Sequence, residues 1–252
     1  MVFHNPRFLR VASVLLALLL WQAASMLVNQ PIFLVSPTTV VARLIALLGD
    51  GAFYAALGFS FLRIALGFLG GLLLGTLAGA AAGRYRWVEI LLFPYMVTVR
   101  SIPVASFAVV ALLWFSSGTI SAFVSFLIVL PIVYHAVQEG TRRIDPRMRE
   151  MAAVFRFSPF DRFGCLWLPG VRPYLLSSAR VSVGLAWKSG VAAELIGVPA
   201  GSLGQLLYLS KIYMSTADLF AVTLMIVLAT VVCEKLSMGG LRILLGERRV
   251  RV

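Results

Sequence analysis

The chain is poor in charge and poorer still in acid. Of its 252 residues only 13% are charged and just 10 are Asp or Glu, against 60% hydrophobic residues and a mean hydropathy of +0.95. A soluble globular domain carries roughly 25% charged residues. A chain of this length cannot hide so much apolar surface in a core of its own, so its solvent is a bilayer. Cysteine is nearly absent. Cys165 and Cys233 have neither metal nor redox spacing and build no disulfide framework, so each reads as a small buried apolar side chain. His4 and His135 stand alone, and no paired carboxylates or metal-ligand cluster accompany them. Catalysis in the membrane therefore has no constellation to rest on, and no cofactor is expected. None of the lysines, Lys188, Lys211 and Lys235, follows a glycine, so there is no Gly-Lys-Ser/Thr phosphate loop.

What the chain does have is six apolar runs, at residues 11–28, 53–82, 88–113, 120–137, 173–195 and 217–241. Each is long enough to cross about 30 Å of hydrocarbon, and together they predict an all-α membrane protein. The first run has a rival reading as a secretory signal, with Arg7 and Arg10, an apolar stretch and then Ala-Ala-Ser at 23–25. The five runs that follow already demand membrane insertion.

The net charge of +12 is placed by side. With the N-terminus inside, the inner segments collect Arg7, Arg10, Arg84, Arg86, seven arginines between 142 and 172, and five basic residues from Lys235 to Arg251. The outer segments hold only Arg43 and Lys211, and Arg63, Arg100, Arg180 and Lys188 fall within runs. Lys and Arg accumulate on the cytoplasmic side of membrane proteins. This bias predicts cytoplasmic termini and accounts for the basic balance without nucleic acid, whose recognition needs a water-exposed basic face.

Three local patterns stand out. On the outer side, "SPTTVVARLIALLGDG" predicts a short helix with Ser36 as N-cap, Pro37 in its first turn and an apolar face of Val40, Leu44, Leu47 and Leu48. In the second run, Gly67, Gly71, Gly75, Gly79 and Gly83 recur every four residues. Each glycine costs helix propensity, yet the spacing lines one helical face where a second backbone can approach closely. The third pattern is the longest polar segment, residues 138–172. There Asp145 and Pro146 predict one helix start, with Met148, Met151, Ala152 and Phe155 on one face and Arg147 and Glu150 on another. Ser158, Pro159 and Asp161 predict a second start of capping-box type; Phe160, Phe163 and Trp167 give that helix an apolar side, and Pro169 is expected to end it. Two short amphipathic helices would make a knob below the membrane. It could lie on lipid, pack under its own bundle, or dock into a cytoplasmic partner.

Charges inside a membrane are costly and face a cavity or a partner. Arg100 and Ser101 precede Pro103, which breaks helical regularity, and Trp187, Lys188 and Glu194 lie in the fifth run. These six residues are the candidates for a translocation path. Lys188 could contact a solute, or pair with Glu139 or a carbonyl. Arg63 reads as a snorkelling or packing residue.

The segment "EMAAVFRFSPFDRFGCLWLPG" resembles the EAA loop of binding-protein-dependent ABC importer permeases. Glu150, Ala152, Leu166, Leu168 and Pro169 match its pattern; Met151 replaces an alanine, and Arg156 stands where the pattern has glycine. From about Ser36 onward, "SFLRIALGFLGGLLLGTLAG", "VRSIPVASFAVVALLWF" and "LPGVRPYLLSSARVSVGLAWKSGVAAELIGV" look like the nitrate/sulfonate/taurine subfamily, Trp187–Lys188 and the Ala-Ala-Glu ending at Glu194 above all. The resemblance implies a six-transmembrane-helix type I importer permease fold (MetI-like), with a tail and first helix over 1–35 and a permease core over 36–252. It implies an ATPase-coupling surface from Glu150, Ala152, Ala153, Arg156, Phe157, Ser158, Phe160, Leu168 and Pro169. It further implies two cytoplasmic ATPase subunits, a second permease subunit as a homodimer, an extracytoplasmic solute-binding protein and a cell-membrane location. The solute expected is a small anion, with a vitamin precursor such as a thiamine pyrimidine or riboflavin as the alternative. An ion-coupled secondary transporter, the rival from another class, would call for mid-membrane acids and inverted repeats; only Glu194 offers such an acid, and no repeat is visible.

Overall fold

The computed structural model describes residues 6–244, all of it helix and connecting turn, with no strand among the described residues. Arg248, Arg249 and Arg251, which enter the charge bias, lie outside the described residues, as do the side chains of Arg7, Arg10 and Arg242. In chain order the elements are α1 (Pro6–Val28), α2 (Pro37–Leu48), α3 (Gly51–Arg84), α4 (Arg86–Ser101), α5 (Val104–Ala111) and α6 (Ile120–Arg142). There follow α7 (Pro146–Val154), α8 (Pro159–Asp161), a π-helical turn (Arg162–Trp167), α9 (Leu168–Gly197), α10 (Leu203–Ile212) and α11 (Thr216–Leu244).

Among the described residues, four helices are long and apolar enough to cross a membrane: α1, α3, α6 and α11. The run at 88–113 is not one continuous helix, and this corrects the expectation. It breaks into α4 and α5, bent by 103°, so that the pair counts as at most one broken span or a re-entrant loop. Pro103 supplies no N–H and pushes Ile102 out of the helical region, to φ −78° and ψ 130°. α9, with 30 residues, is about 45 Å long. It is not among the four because it is less apolar: it carries Ser178, Ser182 and Glu194, all buried, and also Arg180 and Lys188, both exposed.

Three helices, α3, α6 and α9, form the core. The glycine stripe of α3 lies against α6. A Cβ added to Gly71 would sit 2.7 Å from Val129 Cβ, one on Gly75 would sit 2.9 Å from the Leu130 carbonyl oxygen, and one on Gly83 would sit 2.6 Å from Thr141 Cβ. Gly67 and Gly79 meet the carbonyls of Ala122 and Tyr134 in the same way. The α6 residues that meet the stripe, Val129, Val133 and Val137, share one core cluster with Ala179, Val183 and Ala186 of α9, and Ser125 Oγ donates to the Ala186 carbonyl at 3.0 Å.

The remaining helices pack around this core. Ser36 caps α2 by accepting from Thr39 N–H at 3.3 Å, and Val35 and Val40 pack on Ala221 of α11. Leu48, expected on the same buried face, stays exposed. Arg43 pairs with Asp218 across α2 and α11, and that carboxylate holds the guanidinium above its ordinary range. α1 is peripheral, tied by Trp21 Nε1, which donates to the Val35 carbonyl at 3.1 Å.

Candidate functional site

Asp145 caps α7, its Oδ1 accepting from Arg147 N–H at 2.8 Å. The helix closes in a Schellman motif. Phe157 N–H donates to the Ala152 carbonyl at 2.9 Å, Arg156 N–H donates to the Ala153 carbonyl at 3.1 Å, and Arg156 sits at φ +51°. Arg156 thus adopts the left-handed conformation that a glycine would take without strain, so the turn keeps its geometry despite the departure. A capping box starts α8: Ser158 Oγ accepts from Asp161 N–H at 3.2 Å, and Asp161 Oδ2 accepts from Ser158 N–H at 3.3 Å.

Pro169 does not end this helix, contrary to the expectation. α8 runs through the π-helical turn into α9, and Pro169 lies in the first turn of α9. A proline is tolerated at a first helical position because its missing N–H would have no partner there.

Two hydrogen bonds pin the knob to Thr141, at the end of α6. Arg149 Nη2 donates to the Thr141 carbonyl at 2.8 Å, and Trp167 Nε1 donates to Thr141 Oγ1 at 3.1 Å. Phe163 and Trp167 stack at 5.2 Å. These polar anchors are absent from the sequence reading, which gave Trp167 only an apolar role; an arginine within reach of a helix C-terminus was the available signal. Ala152 is buried, but the rest of the face expected with it is not tucked under the bundle: Met148, Met151 and Phe155 are exposed, as are Val154 beside them and Phe160 of the second helix. Glu150 and Ala153 are exposed too, Phe157 and Leu168 are half-buried, and Glu150 makes no ion pair among the described residues.

The intramembrane candidates divide into two groups. Trp187 is buried and donates from Nε1 to the Ile226 carbonyl of α11 at 3.2 Å. Glu194, fully buried, accepts at Oε2 from Ser60 Oγ at 2.6 Å and from Gly204 N–H at 3.4 Å. Ser60 Oγ accepts in turn from Leu203 N–H at 3.0 Å, so one carboxylate joins α9, α3 and the N-terminus of α10. Glu194 Oε1, Ser121 Oγ and Arg63 Nη1 are buried with no well-aligned hydrogen-bond partner among the described residues, and Ser121 Oγ lies near enough to act on the Glu194 carboxylate. The Arg63 guanidinium lies 3.4 Å over the Phe59 ring, a packing role. Arg100, Ser101, Pro103 and Lys188, by contrast, lie on the exposed surface of this chain. Lys188 has no ion pair among the described residues, and Glu139 is taken by Arg143 at 2.5 Å.

Residues 71–251 match the family of binding-protein-dependent transport system inner membrane components. The chain belongs to that family. SsuC of Bacillus subtilis, named as a permease for aliphatic sulfonates, is 31% identical over 189 residues, 74% of this chain and 67% of SsuC. The taurine transport system permease TauC of Escherichia coli is 28% identical over 72% of this chain and 68% of its own. The formylaminopyrimidine transport permease ThiX of Halalkalibacterium halodurans is 26% identical over 81% of this chain and 80% of its own. The knob, the stripe from Gly71 onward, Lys188 and Glu194 all fall inside the matched stretch of this ABC permease, and Gly67 falls just before it.

Proposed function

We propose that this permease carries a small solute for an ATP-driven importer and that residues 138–172 are the handle on which a separate cytoplasmic ATPase pulls. The observation that carries the reading is the knob: large apolar side chains, Val154, Phe155 and Phe160, project from a capped, hydrogen-bonded turn anchored to the end of α6. Exposed apolar surface of this kind, rimmed by charge, marks a protein contact. Two ATPases would act on two permease copies, a homodimer, with an extracytoplasmic binding protein delivering the solute. Closure of the ATPase pair would move the knobs and rock the bundles about one another, a rigid-body switch. The charge bias supports a cytoplasmic knob and cytoplasmic termini, in a chain of the cytoplasmic membrane.

Arg100, Ser101, Pro103 and Lys188, exposed on one copy, would line the path where two copies meet. Trp187 and Glu194 would position the helix that bears Lys188. An anion of the sulfonate, taurine or nitrate kind suits two cationic groups; the similarity to ThiX supports a vitamin precursor as the second reading.

Replacing Glu150 with Lys tests the handle. Glu150 forms no ion pair among the described residues, so it can meet a basic group on the ATPase, and a lost ion pair at a desolvated contact costs about 2–5 kcal/mol. The variant is expected to insert normally, to release the ATPase on purification and to lose uptake. A knob that merely lies on anionic lipid would respond in the opposite sense, since an added lysine strengthens that attraction. Undiminished ATPase retention and uptake at equal membrane abundance would remove Glu150 from the grip.

A further inference from the structure

A cavity of about 730 Å³ opens between the last turns of α3, the end of α6 and the π-helical turn. Along α3 its wall passes from Leu77 through Ala80 and Ala81 to Arg84, and Arg149 and Arg162 close the polar side. No carboxylate lines it. None of the three arginines forms an ion pair among the described residues; Arg149 donates to the Thr141 carbonyl, and Arg84 donates to the Tyr85 hydroxyl at 3.3 Å. Glu89, beside Arg84 in the adjoining cavity, is already paired with Arg142. The polar end therefore holds three guanidinium groups with no carboxylate in the lining, and the other end is apolar. That apolar wall continues along α3 into Leu69 and Leu73, which are exposed on the surface of the bundle.

We propose that this cavity seats the headgroup of an anionic phospholipid, the phosphate held by Arg84, Arg149 and Arg162 and the acyl chains lying along α3. Guanidinium groups bind phosphate through charge-assisted, often paired hydrogen bonds, and basic pockets between helices on the cytoplasmic side take acidic lipid headgroups. The proposal rests on the reading that puts the knob in the cytoplasm, because that leaflet carries the anionic lipid. Arg149 and Arg162 belong to the knob segment, so a bound headgroup would brace it against α3 and make its angle sensitive to membrane composition.

The test uses the full permease, with its ATPase bound, in vesicles of equal parts phosphatidylglycerol and phosphatidylcholine, followed by gentle extraction and native mass spectrometry of the retained lipid. The wild type should retain phosphatidylglycerol in preference. Each arginine removed should cut that preference about fivefold, the factor matching ~1 kcal/mol per basic residue near an anionic surface, so Arg84→Ala with Arg162→Ala should lower it about 25-fold. The corresponding pair of lysine substitutions should keep most of it, which separates loss of charge from loss of fold. Equal retention of the two lipids by the wild type, or an unchanged preference in the double alanine variant, would overturn the proposal. So would lipid that is held by the permease alone and expelled when the ATPase binds, or that is displaced by inorganic phosphate at matching concentration. ATPase co-purification, scored on the same sample, reports on the handle separately from the lipid.

Discussion

Arg156 carries the backbone conformation that the turn after α7 needs, and carries it against its own preference. Its φ of +51° brings an L-residue's Cβ against the following carbonyl, a cost of about 1–2 kcal/mol that glycine escapes. The side chain is exposed, so nothing packed is lost by trimming it. Arg156→Gly is therefore expected to stabilise the purified permease by about 0.5–1 kcal/mol, once the extra freedom of an unfolded glycine is subtracted. Thermal unfolding in detergent measures this. A lower melting temperature would mean that the guanidinium makes a contact worth more than the strain. Val198, at φ +46°, is a second strained position, and a β-branched one. It follows directly on α9, where its N–H donates to the Glu194 carbonyl at 2.7 Å, next to the carboxylate that fastens α3 and α10. The strain sits where neighbouring bonds over-determine the turn.

At the scale of elements, the pairing of α3 with α6 sets the bundle. Five glycines let the two backbones meet so closely that no side chain fits between them, and the contact takes up the length of the stripe. Without a hydrophobic driving force between helices in lipid, such close packing supplies the association. Gly75→Ala already places a carbon 2.9 Å from the Leu130 carbonyl oxygen, and overpacking of this size costs about 1–3 kcal/mol. Gly75→Leu cannot be accommodated without parting the helices, so its membrane abundance and its melting temperature in detergent should both fall well below wild type. Wild-type abundance, melting and uptake in the leucine variant would show that α3 and α6 tolerate separation and that the stripe does not govern assembly. The α4–α5 break has the opposite character, since one proline at 103 ends the hydrogen-bond ladder and lets the chain turn through 103°.

For the whole molecule the decisive quantity is where the basic residues lie. The knob bears Arg147, Arg149, Arg156 and Arg162, and the last turn of α10 bears Lys211. In a background lacking Cys165 and Cys233, a cysteine placed at Arg147 should react with an impermeant reagent only from the cytoplasm, and one placed at Lys211 only from outside. Reaction of both from the same side would sink the topology built on the charge bias. Arg147 suits the experiment because it is exposed and takes no part in the anchor formed by Arg149 and Trp167.

The sequence by itself determined the features that depend on local chemistry. The scarcity of charge dictated a membrane, since no core of this size absorbs 60% hydrophobic residues. Asp145, Ser158 and Ser36 marked helix starts, because capping is settled by a side chain and the N–H groups two or three residues on. The four-residue glycine period signalled a close helix contact, although nothing along the chain said that α6 would fill it. Only the tertiary structure decided which helix met the stripe and which charges went inside. The apolar run marked Glu194 and Trp187 as residues facing something other than lipid, and the fold shows what they face, Ser60 of α3 and the Ile226 carbonyl of α11. The same helix turns Lys188 outward. Pro169 looked like a stop because a proline ends most helices; the π-helical turn before it lets the chain continue as α9. In each case the periodicity places a residue on a face, and the direction of that face depends on partners distant in the chain, which no local pattern encodes.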